Sequence, residues 1–274
     1  MDLVSAYLPL VLVMLLTGVI GGLLAGLLGV GGGIVIVPVL DTALGIYGVD
    51  PAIRMHVAVA TSLATIIPTS ISSTRAHRSK GAVDGSLARL WGPWVFAGSV
   101  LGTVLAAQVD SAVLSTLFGV VALLVAIKMI LPLENVHLAR DIPRGLFAPL
   151  APLGIGGLSS MMGIGGGTLS VPVLTLMNQA IHRAVGTAAL FGFLISVPGA
   201  LGYVIAGWGD PRLPPGSLGY VNVIGLALIA PVTVMTAPLG ARIAHRLSRR
   251  QLSLAFGVFL MIVAVRMLYR TLAG

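Results

Sequence analysis

The chain has 274 residues, of which 57% are hydrophobic and 9% are charged, and its mean hydropathy is +1.06. Soluble domains carry roughly a quarter charged residues, so the composition excludes an ordinary soluble protein and predicts a polytopic membrane protein. The net charge of +8 would suggest nucleic-acid binding in a soluble protein, but here the basic residues lie in short loops between apolar runs. We therefore expect a lipid bilayer, and no nucleic acid, among the partners.

Eight apolar runs have about the length of a membrane span. They are 4–28, 52–73, 88–108, 111–131, 146–163, 184–206, 218–240 and 250–270. A full span needs about 20 apolar residues, so the fifth run is short. Two further apolar pieces, 34–47 and 168–178, are too short for comfortable independent spans and are predicted to be half-helices, or steep short helices, that fold back. The expected fold class is an all-α polytopic membrane protein.

Each short piece follows a cluster of four glycines in a stretch of five. The first cluster reads Gly29-Val-Gly-Gly-Gly33 with Pro38 after it, and the second reads Gly163-Ile-Gly-Gly-Gly167 with Pro172 at the same spacing. Glycines that break a helix inside a membrane-length apolar stretch are costly unless that backbone is buried in protein or lines a cavity. The same break at corresponding places in two halves indicates a transporter's binding site.

The two halves of the chain match in order as well as in this motif. The offset in residue number between the two glycine clusters is 163 − 29 = 134, and the offset between Leu114-Ser115 and Leu252-Ser253 is 252 − 114 = 138. This spacing predicts an internal duplication. The expected units are a first membrane repeat at 1–131, a cytoplasmic linker at 132–144 and a second membrane repeat at 145–274.

Loop charges predict that the repeats are inverted relative to each other. Asp41 and Asp50 mark a region without basic residues that should face outward, whereas basic clusters should be cytoplasmic. Eight simple spans would cross the bilayer three times between residues 144 and 242. An odd number of crossings would put these two basic regions on opposite sides, although both should face the cytoplasm. If each glycine cluster reverses the chain within the bilayer, every basic cluster falls inside and both termini fall outside. We therefore expect two glycine-broken helix hairpins that meet near the bilayer midplane. The basic clusters lie at 75–89, 128–144 and 242–250.

The glycine clusters match neither common nucleotide-binding loop. A Walker loop needs Gly-Lys followed by Ser or Thr, and a dinucleotide fingerprint needs a third glycine where Ile34 and Thr168 stand. The clusters either permit tight helix packing or expose the free N–H groups of a helix N-terminus, which attract anions. Two clusters at matched positions favour the second interpretation. The glycines expected to bind substrate are Gly31, Gly32, Gly33, Gly165, Gly166 and Gly167.

Hydroxyl side chains near the breaks are further candidates for substrate binding. Thr61 and Ser62 lie on the helix after the first break, Thr187 lies on the helix after the second, and Thr168 lies just inside the second half-helix. Hydroxyls are suitable donors to sulfonate or carboxylate oxygens. The alternative is that they bond to their own backbone or hold helices together, as Ser and Thr commonly do in membranes.

Basic pairs precede the same two helices. Arg54 and His56 come before the first, and His182 and Arg183 come before the second. They could form an anion gate on each side or couple transport to protonation of a histidine. The alternative is that they lie at helix ends with their charged groups at the membrane interface.

The acidic residues are predicted to lie in or beside loops, which argues against a cation site or a carboxylate proton relay in the membrane. An uncharged anion site at helix N-termini remains. No metal site, cofactor or catalytic residue is expected, because an enzyme would need a nucleophile–base pair or metal ligands inside the bundle. The acidic residues are Asp2, Asp41, Asp50, Asp84, Asp110, Glu134, Asp141 and Asp210.

The doubled Gly-x-Gly-Gly-Gly-x-x-x-x-Pro-x-Leu motif, followed by Ala60-Thr61-Ser62 and by Gly186-Thr187-Ala188, resembles the TauE/SafE family of sulfite and organosulfonate transporters. The resemblance covers essentially the whole chain. It implies a multi-pass inner-membrane permease that moves small sulfur-containing or carboxylate anions, often outward. One departure is that Ala188 stands where the first copy has Ser62.

The combined prediction is a secondary transporter for a small organic or inorganic anion, such as sulfite or an organosulfonate, that works by alternating access. The alternative is an anion channel or a non-transporting membrane scaffold. The sequence leaves open which anion moves, in which direction, with which coupling ion, and in which oligomeric state.

Overall fold

A computed structural model describes residues 3–28, 31–131, 148–244 and 248–273. Within these ranges the chain forms ten helices and one antiparallel two-stranded hairpin. The helices are α1 (Leu3–Leu28), α2 (Gly33–Ile46), α3 (Pro51–Arg78), α4 (Gly85–Ala106), α5 (Ser111–Ile130), α6 (Leu150–Met162), α7 (Gly167–Leu176), α8 (Ile181–Ala206), α9 (Val223–Ala244) and α10 (Arg249–Ala273), and the strands are β1 (Ser217–Leu218) and β2 (Val221–Asn222).

The prediction of an all-α membrane protein is confirmed. Among the described residues, four helices are long and apolar enough to cross a bilayer by themselves, namely α3, α5, α8 and α9. The half-helices expected at 34–47 and 168–178 are α2, with 14 residues, and α7, with 10 residues. The predicted linker at 132–144 lies outside the described residues, as do Gly29 and Val30.

The glycine clusters separate helices because their backbone adopts conformations that other residues avoid. Gly31 and Gly32 have φ values of 71° and 78°, and Gly163, which ends α6, has a φ of 67°. These left-handed values carry little cost for glycine and are strained for residues with a Cβ. Each cluster therefore ends one helix and lets the chain turn before the next begins.

One predicted span begins later than expected. The run at 218–240 was expected to be helical throughout, but the structure forms the β1–β2 hairpin first and starts α9 at Val223. Gly216 and Gly219 have positive φ values of 75° and 54°, which favour turns over helix. Asn222 then caps α9, because its Oδ1 accepts a hydrogen bond from the Gly225 N–H at 2.8 Å.

Small residues allow α1 to pack closely on α9, and α6 to pack closely on α4. A Cβ on Gly22 would collide with the backbone of Thr233, and a Cβ on Gly156 would collide with the backbone of Val95. The offset in residue number from Gly22 to Gly156 is 156 − 22 = 134, and that from Val95 to Thr233 is 233 − 95 = 138, as in the repeated motifs. The two contacts are therefore equivalent, and each joins one half of the chain to the other.

A second pair of close approaches repeats this equivalence. Gly240 on α9 packs against the carbonyl of Leu23, and Gly102 on α4 packs against the carbonyl of Gly157. The offsets in residue number are again 240 − 102 = 138 and 157 − 23 = 134. Close approach at small residues is the usual way for membrane helices to associate.

The centre of the molecule is the α3–α8 pair. Cβ atoms placed on Gly199 and Gly192 would lie 2.9 Å from Leu63 Cδ1 and 2.8 Å from Ser70 Oγ, respectively. The residue number rises along α3 from Leu63 to Ser70, while that of the contacting residue on α8 falls from Gly199 to Gly192. The two helices therefore run antiparallel.

The α5–α10 pair is antiparallel as well. A Cβ placed on Gly119 would lie 2.7 Å from Leu268 Cγ, and one placed on Gly257 would lie 2.7 Å from Ile130 Cγ1. In both antiparallel pairs the partners occupy corresponding places in the two halves of the chain.

Candidate functional site

The two glycine turns meet halfway along α3. A Cβ atom placed on Gly31 would lie 3.5 Å from the Cα of Gly165. The Ser62 hydroxyl, near the middle of α3, donates a hydrogen bond of 2.7 Å to the carbonyl of Gly163 and so holds the second turn. Gly33 also packs against this carbonyl. The structure therefore brings together glycines that lie in opposite halves of the sequence.

Both turns present helix N-termini to this meeting point. α2 begins at Gly33 and α7 begins at Gly167, and neither helix has a side-chain hydrogen bond at its N-cap, Gly32 or Gly166. The N-terminus of a helix carries about half a positive charge and unpaired N–H donors. This geometry can attract an anion without a cationic side chain.

Like Ser62, two more of the predicted hydroxyls already have protein partners. Thr61 Oγ1 accepts a hydrogen bond of 2.9 Å from the backbone N–H of Asn222, and Thr187 Oγ1 accepts one of 2.9 Å from the backbone N–H of Asp84. The offset in residue number from Asp84 to Asn222 is 222 − 84 = 138, so the two bonds are equivalent in the two halves. Each threonine secures the residue that caps a helix of the other half.

Other buried polar groups have no hydrogen-bond partner among the described residues. Thr168 is one of them: it is 2% exposed and lies in the first turn of α7. Sequence reasoning named Thr168 but missed Ser70 and Ser159, because nothing in the local sequence marks a hydroxyl as unpartnered. The side chains with such groups are Ser70, Ser73, Thr74, Trp91 (Nε1), Ser159, Thr168, Ser170 and Tyr203.

The expectation that all acidic residues lie in or beside loops is wrong for Asp41. Asp41 lies within α2, is only 7% exposed, and pairs with Arg54 of α3 through a 2.9 Å contact between Oδ1 and Nε. The chain folds back at the α2–α3 loop, which brings these two residues together, and the paired charges tolerate burial. Arg54 is thus held by a carboxylate. Asp2, Glu134 and Asp141 lie outside the described residues.

His56 lies at one end of the α3–α8 pair, away from the glycine turns. Its ring nitrogens lie 3.2 Å from the Ser111 hydroxyl and 3.1 Å from the Ala106 carbonyl, and its ring centroid lies 5.2 Å from that of Tyr220. The ring is buried between α3, α5 and the β1–β2 turn.

His182 and Arg183 lie at the opposite end of this pair, at the start of α8, and both are exposed. Arg183 Nη1 lies 3.8 Å from a carboxylate oxygen of Asp84, the N-cap of α4. The pKa of Asp84 is lowered, first by the hydrogen bond from the Ser86 hydroxyl and then by that from the Leu87 N–H. The four candidate gate residues therefore divide between the two ends of the molecule, away from the described part of the glycine turns.

A cavity of about 590 Å³ lies between α3 and α9, apart from the glycine turns. It begins beside Pro68, continues past Ser72 and Val234, and reaches Arg75 near the basic end of α3. Ser72 donates a hydrogen bond of 3.2 Å to the Val234 carbonyl, which closes its inner wall. None of the glycine-turn residues that the structure describes lines it.

Comparison with known proteins decides the family. The model of the family described as "Sulfite exporter TauE/SafE" matches residues 14–267. The chain belongs to the TauE/SafE family. The TauE/SafE match covers every helix that carries the candidate site, so the resemblance inferred from the glycine motifs is confirmed.

Curated relatives match nearly the whole length of this TauE/SafE chain. A "Probable membrane transporter protein" from Haemophilus influenzae is 33% identical over 94% of this chain and 97% of its own length. A "Probable membrane transporter protein YunE" from Bacillus subtilis is 26% identical over the same shares, and a relative from Methanocaldococcus jannaschii is 27% identical over 96% and 97%. No solved structure matches the chain significantly.

The family and the names of these relatives agree on a membrane transporter and not an enzyme, and the several apolar helices support a multi-pass protein. Among the described residues, no group of three His, Asp or Glu side chains could hold a metal ion.

Proposed function

We propose that the protein is a secondary carrier that moves a small oxyanion, of the class that includes sulfite and organosulfonates, across the inner membrane. The observation that carries the proposal is the meeting of the two glycine turns. Gly31 and Gly165 approach each other within the bundle, and each is followed by a helix N-terminus without a side-chain cap. Two such N-termini at one point favour a negatively charged ligand.

The packing of the helices supports an inverted arrangement of the repeats 1–131 and 145–274. The corresponding helices α3 and α8 run antiparallel, and so do the corresponding helices α5 and α10. Two close contacts of α1 with α9 recur at equivalent residues of α6 and α4. Equivalent helices that point in opposite directions are expected when two repeats are related by an axis in the membrane plane.

The position of the turns suits alternating access. Val59 and Ser62 contact the second turn near the middle of α3, and Ala188 and Phe191 contact Gly166 near the middle of α8. A ligand at this depth would lie near the bilayer midplane and could be exposed to either side as the halves rock against each other. We include Thr61, Ser62, Thr168 and Thr187 in the surroundings of the ligand, with Thr61 and Thr187 fixing the helices that enclose it.

Basic side chains at the two ends of the α3–α8 pair would lie at the two entrances to the site. Arg54 and His56 would border the outer entrance, and His182 and Arg183 would border the cytoplasmic entrance. With the linker 132–144 in the cytoplasm, both termini would lie outside. An anion entering from either side would then meet basic side chains before it reaches the uncharged turns.

Counterflow in proteoliposomes tests the carrier. Vesicles loaded with unlabelled sulfite should accumulate ³⁵S-sulfite transiently and saturably, whereas a channel or a scaffold would give no such overshoot. Gly32→Leu and Gly166→Leu should abolish the overshoot, because a Cβ at either site already meets backbone atoms at 2.6 Å or 2.9 Å. Gly154→Leu is the control, since its Cβ would meet nothing within 4 Å. Normal counterflow in both turn variants would refute the site.

Single-cysteine labelling tests the orientation, and the chain contains no native cysteine. Gln108→Cys and Pro211→Cys, near the His56 end, should react with a membrane-impermeant maleimide added outside intact cells. Lys80→Cys and Ala180→Cys, near the Arg183 end, should react only after permeabilisation. Labelling of Lys80→Cys and Ala180→Cys on opposite sides of the membrane would refute the inverted arrangement.

A further inference from the structure

We propose that the oxyanion binds at only one of the two matched turns, the N-terminus of α7, and that Ser70 of α3 supplies a hydroxyl donor to it. This inference rests on the proposed function and specifies where the ligand sits. It makes the second glycine cluster the binding element and the first a structural one.

The space beside Gly192 on α8 lies between the Ser70 hydroxyl and the N-terminus of α7. A Cβ placed on Gly192 would lie 2.8 Å from Ser70 Oγ and 3.7 Å from the backbone N of Gly166. Ser70 is 1% exposed, and its hydroxyl has no hydrogen-bond partner among the described residues. A buried hydroxyl without a partner costs free energy unless a ligand satisfies it.

A second unpartnered hydroxyl belongs to the same helix end. Thr168 lies in the first turn of α7, is 2% exposed, and likewise has no partner among the described residues. Gly166 packs against Phe191, whose ring stacks on Trp91 with 6.2 Å between centroids. The Cβ of Phe191 thus borders the start of α7, while the Thr168 and Ser70 hydroxyls remain free to donate.

The equivalent place in the first half is filled by an apolar side chain. The offset in residue number from Ile66 to Gly192 is 192 − 66 = 126, which equals the offset from Thr61 to Thr187 (187 − 61 = 126). Cβ atoms placed on Gly31 and Gly33 would each lie 2.9 Å from methyl carbons of Ile66. Hydrocarbon therefore covers the start of α2 and offers an anion no hydrogen-bond donor there, so its N-terminus contributes to the attraction but not to the contact.

The hydroxyl nearest to the start of α2 is also already used, because Ser62 donates to the Gly163 carbonyl at 2.7 Å. The two halves therefore place different chemistry at matched positions. The start of α2 has Ile66 and an engaged Ser62 beside it, whereas the start of α7 has Gly192 of α8 and an unpartnered Ser70 of α3. Only the second arrangement leaves hydrogen-bonding capacity for a ligand.

The chemistry of the site specifies the ligand class. Backbone N–H groups can only donate hydrogen bonds, and no ionisable side chain is among the residues that define the site, which are Ser70, Gly166, Thr168, Phe191 and Gly192. A compact oxyanion with several acceptor oxygens, such as sulfite or a small sulfonate, suits these donors. An ammonium group would find no carboxylate partner among them.

Sulfite titrations of the purified full-length protein in detergent, followed by thermal shift and by calorimetry, test the inference. Ser70→Ala should weaken sulfite binding by about 10- to 100-fold, because a hydrogen bond to a charged ligand is lost. Its folded state should stay at least as stable as the wild type without ligand, since the lost hydroxyl has no protein partner among the described residues. Ser196→Ala is the matched control: Ser196 stands at the same offset from Ser70 (196 − 70 = 126), and its hydroxyl bonds to Phe193 O at 3.3 Å.

Gly192→Ala provides a second test that removes no donor. Its methyl group would enter the space between Ser70 and Gly166 and should weaken sulfite binding at least as much as Ser70→Ala. Gly199→Ala on the same helix is its control, because that methyl group would press on Leu63 at a similar 2.9 Å. Equal affinities in wild type, Ser70→Ala and Gly192→Ala would overturn the inference and leave the carrier intact. Absence of saturable wild-type binding to sulfite, thiosulfate and acetate would overturn the proposed function itself.

Discussion

The hydroxyl of Thr61 accepts a hydrogen bond from the backbone N–H of Asn222 at 2.9 Å, although the two residues lie in opposite halves of the chain. Asn222 in turn caps α9 through the Gly225 N–H. Thr187 holds Asp84, the N-cap of α4, in the same way. Each threonine of the matched motifs therefore fixes the start of a helix in the opposite half.

Thr61→Val should destabilise the protein by about 1–3 kcal/mol, because valine keeps the shape but leaves the buried Asn222 N–H without an acceptor. Thermal unfolding in detergent, read by intrinsic fluorescence, measures the loss. Thr65→Val is the control, since its hydroxyl donates to the carbonyl of Thr61 in its own helix. Unchanged stability combined with weakened sulfite binding would instead make Thr61 a direct ligand to the substrate.

Gly102→Ala and Gly240→Ala should destabilise the protein to a similar degree. In both, the added methyl group would collide with a backbone carbonyl of the facing helix, at Gly157 and Leu23 respectively, and backbone cannot move aside cheaply. We expect losses of about 1–3 kcal/mol each, measured by thermal unfolding. Gly154→Ala, which would meet nothing within 4 Å, should be neutral or slightly stabilising. Equal stability of all three variants would contradict the close packing.

The partly buried pair of Asp41 and Arg54 should show energetic coupling. Asp41→Asn and Arg54→Gln each leave one charge without its partner at 2.9 Å, so each single variant should be less stable than the wild type. The double variant should recover part of the loss, with a coupling of about 0.5–3 kcal/mol. A double-mutant cycle of unfolding free energies measures this. Strictly additive losses would show that the pair contributes only by packing.

Asp210 should make the α8–α9 loop sensitive to acid. Hydrogen bonds from the Arg212 guanidinium, at 2.9 Å and 2.7 Å, and then from its backbone N–H lower the pKa of Asp210 from 3.8 to about 2. A carboxyl with a depressed pKa stabilises the folded state above its unfolded pKa, and this contribution is lost as the pH falls toward 2.

The unfolding temperature of Asp210→Asn should therefore lie below that of the wild type near neutral pH, and the gap should close between about pH 4 and pH 2. Asp110→Asn serves as the control, because the Asp110 side chain makes no capping hydrogen bond at the start of α5. A gap that stays constant with pH would show that the Arg212 contact does not depend on the charge of Asp210.

Local physics explains what the sequence determined by itself. Long apolar runs cannot remain in water, and glycine clusters break them wherever they occur, so the helices and the two turns were predictable. The duplication and the family were predicted from the repeated glycine motifs and the similar offsets between matched residues in the sequence. The β1–β2 hairpin was missed because hydropathy outweighed the turn signals of Pro214, Pro215 and Gly216.

Only the tertiary structure decided which of these side chains already have a partner within the protein. Thr61 and Thr168 look alike as hydroxyls beside a break, yet one accepts a hydrogen bond from Asn222 and the other has no partner among the described residues. Asp41 reads as a loop residue, yet it is buried against Arg54. The reason is that hydrogen bonds and burial depend on atoms brought in by distant segments, which no local pattern records. The difference between the two matched turns, with Ile66 over one and Gly192 beside the other, arises in the same way.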